Sequence, residues 1–138
     1  MTAIQDGEVL YRYANPHVFP AGQTELPLSI FNDALLSCDW QRLKAAPEAS
    51  LHVAHGRNMI VSISICDAIR NPANPKRVGV QVPEWRQEIV HDPLPPTEAD
   101  PFTPNASHAL IKGAKKGAVT TAIRENSRYY IVPPPVVT

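Results

Sequence analysis

Cysteine is scarce in this sequence, with Cys38 and Cys66 the two present. Two thiols cannot build the framework of a small secreted scaffold. Both stand in apolar stretches, ALLSCDW and SISICDA, and read as small buried hydrophobes. Long hydrophobic runs are missing too. The longest, around Met59 to Cys66, is broken by Ser62 and Ser64 and falls short of the ~18 residues a bilayer span needs. The opening MTAIQDGEVL has neither the basic region nor the apolar stretch of a secretory signal. Neither an HExxH helix nor a pair of CxxC motifs occurs, so no metal and no cofactor is expected. Net charge is zero, from 13 basic and 13 acidic residues, which argues against general affinity for nucleic acid or a membrane surface. The expectation is a cytoplasmic chain, in which Asn105-Ala106-Ser107 carries no weight as a glycosylation acceptor.

Proline is what the sequence has in excess. Fifteen in 138 residues is about twice average usage. Each fixes φ and removes a backbone donor, so each is expelled from helix interiors and central strands. Pro16, Pro20 and Pro27 mark an irregular segment, Pro72 and Pro75 a turn, and the five prolines from Pro93 to Pro104 a long loop. Pro133, Pro134 and Pro135 open a stiff tail, so the expected organisation is one domain over 1–132 and a Pro-rich tail over 133–138.

Between these breaks the apolar periods are short. Val9 to Tyr13 reads as a first strand, and Met59 to Ile65 alternates as a central one. Ala34 to Cys38 reads either as a strand or as the end of a helix capped by Ser29. Asp39 then looks like the N-cap of a helix over Trp40 to Ala45, and Pro47-Glu48 like the first turn of another towards His55. Strands are expected over Val78–Val82, Trp85–His91 and Arg128–Val132, with Ser107–Lys112 a strand or a helix start. The clearest helix covers about Ala114 to Asn126, with Val119, Ala122 and Ile123 inward. Strands outnumber helices without alternating with them, which predicts an α+β fold with a mostly antiparallel or mixed sheet.

Chemistry-bearing residues fall in a few places. His52 and His55 have a spacing seen in zinc sites, but no further ligands accompany them. Gly113 to Thr121 invites a phosphate-loop reading and fails it, because three residues separate the glycines and the lysines precede the second one. What survives is a basic helix start, where Lys112, Lys115 and Lys116 could hold a small anionic ligand. The charge asymmetry points the same way: residues 1–40 carry one basic and five acidic side chains, residues 105–138 five basic and one acidic. Arg12, Ser37, Asp39, His91 and His108, at strands and strand ends beside long loops, are the candidate catalytic groups. Cys38 with His91 or His108 as base would form a thiol nucleophile.

The order of Arg12 on a first strand, Ser37 on a second and a later Glu84, Glu88 or Glu125 resembles that of ADP-ribosyltransferase-type folds. The resemblance covers those residues alone and implies a nucleotide-handling site. Two readings follow. One is a non-catalytic binding or protein-interaction module, oligomeric because its apolar, proline-stiffened tail needs a partner. The other is a small enzyme or phosphate-ligand domain with its site at the strand ends.

Overall fold

A computed structural model describes residues 3–14, 25–44, 59–77, 80–95 and 105–131. Within them, six strands form one sheet: β1 Val9–Ala14, β2 Leu35–Trp40, β3 Met59–Ser64, β4 Glu88–His91, β5 His108–Lys112 and β6 Ser127–Ile131. The spatial order is β4-β5-β2-β1-β3-β6, and every neighbouring pair is antiparallel. Two helices accompany the sheet, α1 Asp67–Arg70 and α2 Gly117–Glu125. The domain is therefore α+β with a wholly antiparallel sheet among the described residues.

Directly opposed residues of an antiparallel pair share a face. Leu10 lies opposite Trp40 and Ile63, Arg12 opposite Val61, Leu36 opposite Ile111, and Cys38 opposite Ala109. This face is the core. Leu10, Leu36, Trp40, Met59, Val61, Ile63 and Ile111 are all buried there, packed with Val119 and Ile123 of α2, Ile69 of α1, and Ile30 and Phe31. The other face carries Tyr11 opposite Asp39, and Ser62, Ser37 and His108. Tyr11, Asp39 and Ile60 are buried on it as well.

Several expectations shift. Residues 35–40 are strand, so Asp39 is no helix cap; the following helix reduces to a single tight turn, Gln41–Leu43. Strand β4 begins at Glu88 rather than Trp85, because Pro83 starts a turn over Pro83–Trp85. At residues 80–82 the expected strand survives only as one bridge, Gln81 to Ala73. Helix α2 starts at Gly117, three residues later than the periodicity suggests. The cause is Gly113, whose φ of +148° breaks the chain direction after β5. Its C-terminal end is closed by side chains: Ser127 Oγ donates to Ile123 O at 2.6 Å and Asn126 Nδ2 to Ala122 O at 2.8 Å. His52, His55, the Pro47 helix, the Pro-rich tail and most of the loop after Pro95 lie outside the described residues.

Candidate functional site

Strand β1 sits near the centre of the sheet, so Arg12 is not an edge residue. Its side chain projects onto the core face yet remains 22% exposed. The guanidinium is anchored at the start of β2: one amino group donates to Ser37 O at 3.1 Å and the other to Asp33 Oδ2 at 3.3 Å. Its Nε is buried without a partner. Ser37 contributes its carbonyl here, while its side chain is exposed on the opposite face.

Cys38 neighbours Arg12 on the core face. Burial pushes its thiol up to about 12, although the positive charges of Arg12 and Lys115 work the other way. The thiol is neutral at ordinary pH and points its S–H at Leu36 O, 3.7 Å away. A protonated, enclosed sulfur is a packing group rather than a nucleophile. Lys115 closes the same end of the core. Its Nζ donates to Ile111 O and Gly113 O at 2.9 Å each, and to Ala34 O at 3.4 Å. Burial brings its pKa down to about 8, against the opposing charges of Cys38 and Asp33. Lys112 lies across from Leu35 and Glu88, and Lys116 is exposed just before α2. The three lysines thus take separate surroundings, and Lys115 spends its donors on backbone carbonyls.

On the opposite face, Asp39 is 3% exposed and gathers the largest polar network described. Its Oδ1 accepts from Asn105 Nδ2 at 2.7 Å and Ser107 Oγ at 3.2 Å, and its Oδ2 from the Tyr13 hydroxyl at 2.9 Å. Ser107 Oγ also approaches Asn105 Oδ1 at 2.6 Å. A buried carboxylate survives only with such donors. His108 is opposite Asp39 in the ladder, but its Nδ1 donates to Asp92, at 3.0 Å from the carbonyl and 3.1 Å from Oδ2. His91 belongs to the core face, where its ring meets the edge of Trp40 at 5.2 Å and its Nε2 donates to Ala106 O at 2.6 Å.

The sheet therefore divides the candidates. Arg12 and His91 lie on one side, Asp39 and His108 on the other, and each is bonded into the fold. The arrangement resembling ADP-ribosyltransferase-type folds does not assemble. Arg12 and the Ser37 side chain are on opposite faces, Glu84 is in the turn before β4, Glu88 is on β4 and Glu125 ends α2. Among the described residues, no group of three or more His, Cys, Asp or Glu is placed to hold a metal ion, and no helix is long and apolar enough to cross a membrane.

One feature escaped the sequence reading: the outer edge of β6. Tyr129 and Ile131 share the core-side face, opposite Val61 and Met59, yet are 40% and 49% exposed. Sequence identified 128–132 as a strand but carried no signal that it would be outermost.

No protein-family model matches the chain, and neither curated proteins nor solved structures yield a match.

Proposed function

We propose that this domain is a protein-interaction module that pairs with a second copy of the same chain along the outer edge of β6. The observation that carries the reading is the pair of large side chains, Tyr129 and Ile131, left substantially exposed on the outermost strand among the described residues. Edge strands offer unpaired backbone groups, and native proteins blunt them with short length, charge or proline. Strand β4, at the other end of the order, has four residues, begins with exposed Glu88 and leaves no large apolar side chain exposed. Strand β6 has five residues with one charged side chain, Arg128, and on its core-side face Tyr129 and Ile131 stay 40% and 49% exposed.

An antiparallel pairing centred on Tyr129 would set Tyr129 against its own copy and Ser127 against Ile131, a self-complementary two-fold contact. Five paired residues bury less than the ~1,200 Å² of a stable interface, so the dimer is micromolar rather than obligate. The dispersal of Arg12, Asp39, His91 and His108 supports a non-catalytic role. The free thiols of Cys38 and Cys66 suit a cytoplasmic setting.

Light scattering after size exclusion, from about 5 to about 200 μM, tests this across the micromolar range. Wild type should shift from monomer to dimer with concentration. Tyr129→Glu, which places like charges across the two-fold axis, and Ile131→Lys should both stay monomeric with unchanged circular dichroism. A wild type that remains monomeric throughout, or a folded Tyr129→Glu that still dimerises, removes the proposal.

A further inference from the structure

Independently of the β6 edge, the structure assigns a small-ligand site to a cleft of about 460 Å³ between the end of α1 and the start of β4. Its walls are Arg70, Asn71, Arg86, Gln87, Glu88 and Ile89. The volume is in the range of small-molecule sites, and the lining mixes one apolar side chain with converging polar groups. The ligand class it fits is a small carboxylate with a hydrogen-bond donor on the adjacent carbon, an α-hydroxy or α-amino acid.

The carboxylate half follows from the guanidinia. Asp67 Oδ1 accepts from Asn71 Nδ2 at 2.9 Å, and Asn71 Oδ1 in turn accepts from Arg86 Nε at 3.2 Å. This chain orients the Arg86 fork through its inner nitrogen. Among the described residues no carboxylate pairs with Arg86, and its two terminal amino groups have no hydrogen-bond partner. Arg70 beside it is held by Asp6, Nε to Oδ1 at 2.8 Å, and by Ile4 O. A planar guanidinium with both outer donors unspent matches a carboxylate bidentately.

The donor half follows from Gln87. It is 2% exposed, and its Nε2 donates to Trp85 O and Ala114 O at 2.9 Å each, which settles the orientation of the amide. Its Oε1 is then left buried with no donor. Such an orphan acceptor is costly, and native folds rarely keep one without a reason. The position is built around it. Gly113 lies so close that a Cβ there would stand 2.6 Å from Gln87 Nε2. A ligand hydroxyl or ammonium beside the carboxylate supplies the missing donor, and Glu88 offers a second, exposed acceptor at the same wall. Because Oε1 is closed to solvent as the cleft stands, lining side chains must move to admit the ligand. The exposed Glu88 is free to do so.

The test is an NMR titration of the full chain with four probes: L-lactate, L-alanine, propionate and inorganic phosphate. Lactate or alanine should give saturable shifts centred on the Arg86 and Gln87 side-chain resonances, at least about tenfold tighter than propionate or phosphate. Arg86→Gln, an exposed change that leaves the fold intact, should weaken that binding by about tenfold or more, while the distant Arg128→Gln leaves it unchanged. Absence of saturation by lactate and alanine at about 20 mM, equal binding of all four probes, or indifference to Arg86→Gln overturns the assignment.

Discussion

Gly113→Ala is expected to destabilise the domain by about 3 kcal/mol, and the same substitution at two other glycines separates the causes. At Gly113 the φ of +148° is a conformation L residues rarely adopt, which costs about 1–3 kcal/mol for alanine. The added Cβ would also stand 2.8 Å from Arg86 O and from Gln87 Cδ, and 2.6 Å from Gln87 Nε2. None of these neighbours yields cheaply. Arg86 O belongs to the backbone that Gln87 N ties to Arg70 O at 2.8 Å, and the Gln87 amide is bonded to two carbonyls. Losing those two side-chain bonds adds about 0.5–1.5 kcal/mol each. Gly7 has φ +90° but nothing within 4 Å of its built Cβ, so Gly7→Ala shows backbone strain alone, about 1–2 kcal/mol. Gly117, at the start of α2, has an ordinary φ and open space, so Gly117→Ala should stabilise by about 0.5 kcal/mol. Urea unfolding followed by tryptophan fluorescence gives the three values at a common slope. A Gly113→Ala penalty no larger than that of Gly7→Ala would refute the close-packing argument.

The remaining predictions concern the two polar clusters. Asp39→Ala removes the acceptor of Asn105 Nδ2 and one acceptor each of the Tyr13 hydroxyl and Ser107 Oγ, and should cost about 2–4 kcal/mol in thermal or urea unfolding. A loss below about 1 kcal/mol would show that the network does not hold the fold. Cys38 and Lys115 shape the alkaline limb in opposite directions. The raised Cys38 pKa means the folded chain holds its proton longer, so stability falls as pH climbs from 9.0 towards about 12; Cys38→Ala should flatten that fall. The lowered Lys115 pKa means the folded chain releases its proton sooner, so stability rises between about 8 and 10.5; Lys115→Met should remove that rise. Comparing each variant with wild type in urea at stepped pH isolates the two trends, and unchanged limbs would contradict the burial that causes them. In the folded protein an aromatic disulfide reagent at mild alkaline pH should titrate half-buried Cys66 promptly and reach Cys38 only on unfolding.

The periodicities of single segments were legible without the structure. Alternation from Met59 to Ile65 marks β3, and aromatics with Arg12 mark β1, because the two-residue period is a local property of the backbone. Proline punctuation likewise follows from φ and the missing donor, and the segment it marks at Pro72 and Pro75 does turn, with Arg77 N donating to Asn74 O, whereas the delay of β4 to Glu88 was not read from it. Asp39 shows where local reading ends. An acidic residue after an apolar run looks like a helix cap, and only donors 66 and 68 residues later, on Asn105 and Ser107, make a buried strand position tolerable. The same holds for the candidate catalytic groups. Their separation depends on which face each strand presents, and that depends on the register of β2 against β1 and β5. The cleft joins residues 70–71 to 86–89, and the exposure of Tyr129 and Ile131 arises because β6 is outermost among the described strands. Sequence by itself determined that this chain alternates strand and turn around one apolar face. Tertiary pairing alone decided which polar groups are buried, which meet, and which strand is outermost among the described residues, because those outcomes rest on partners distant along the chain.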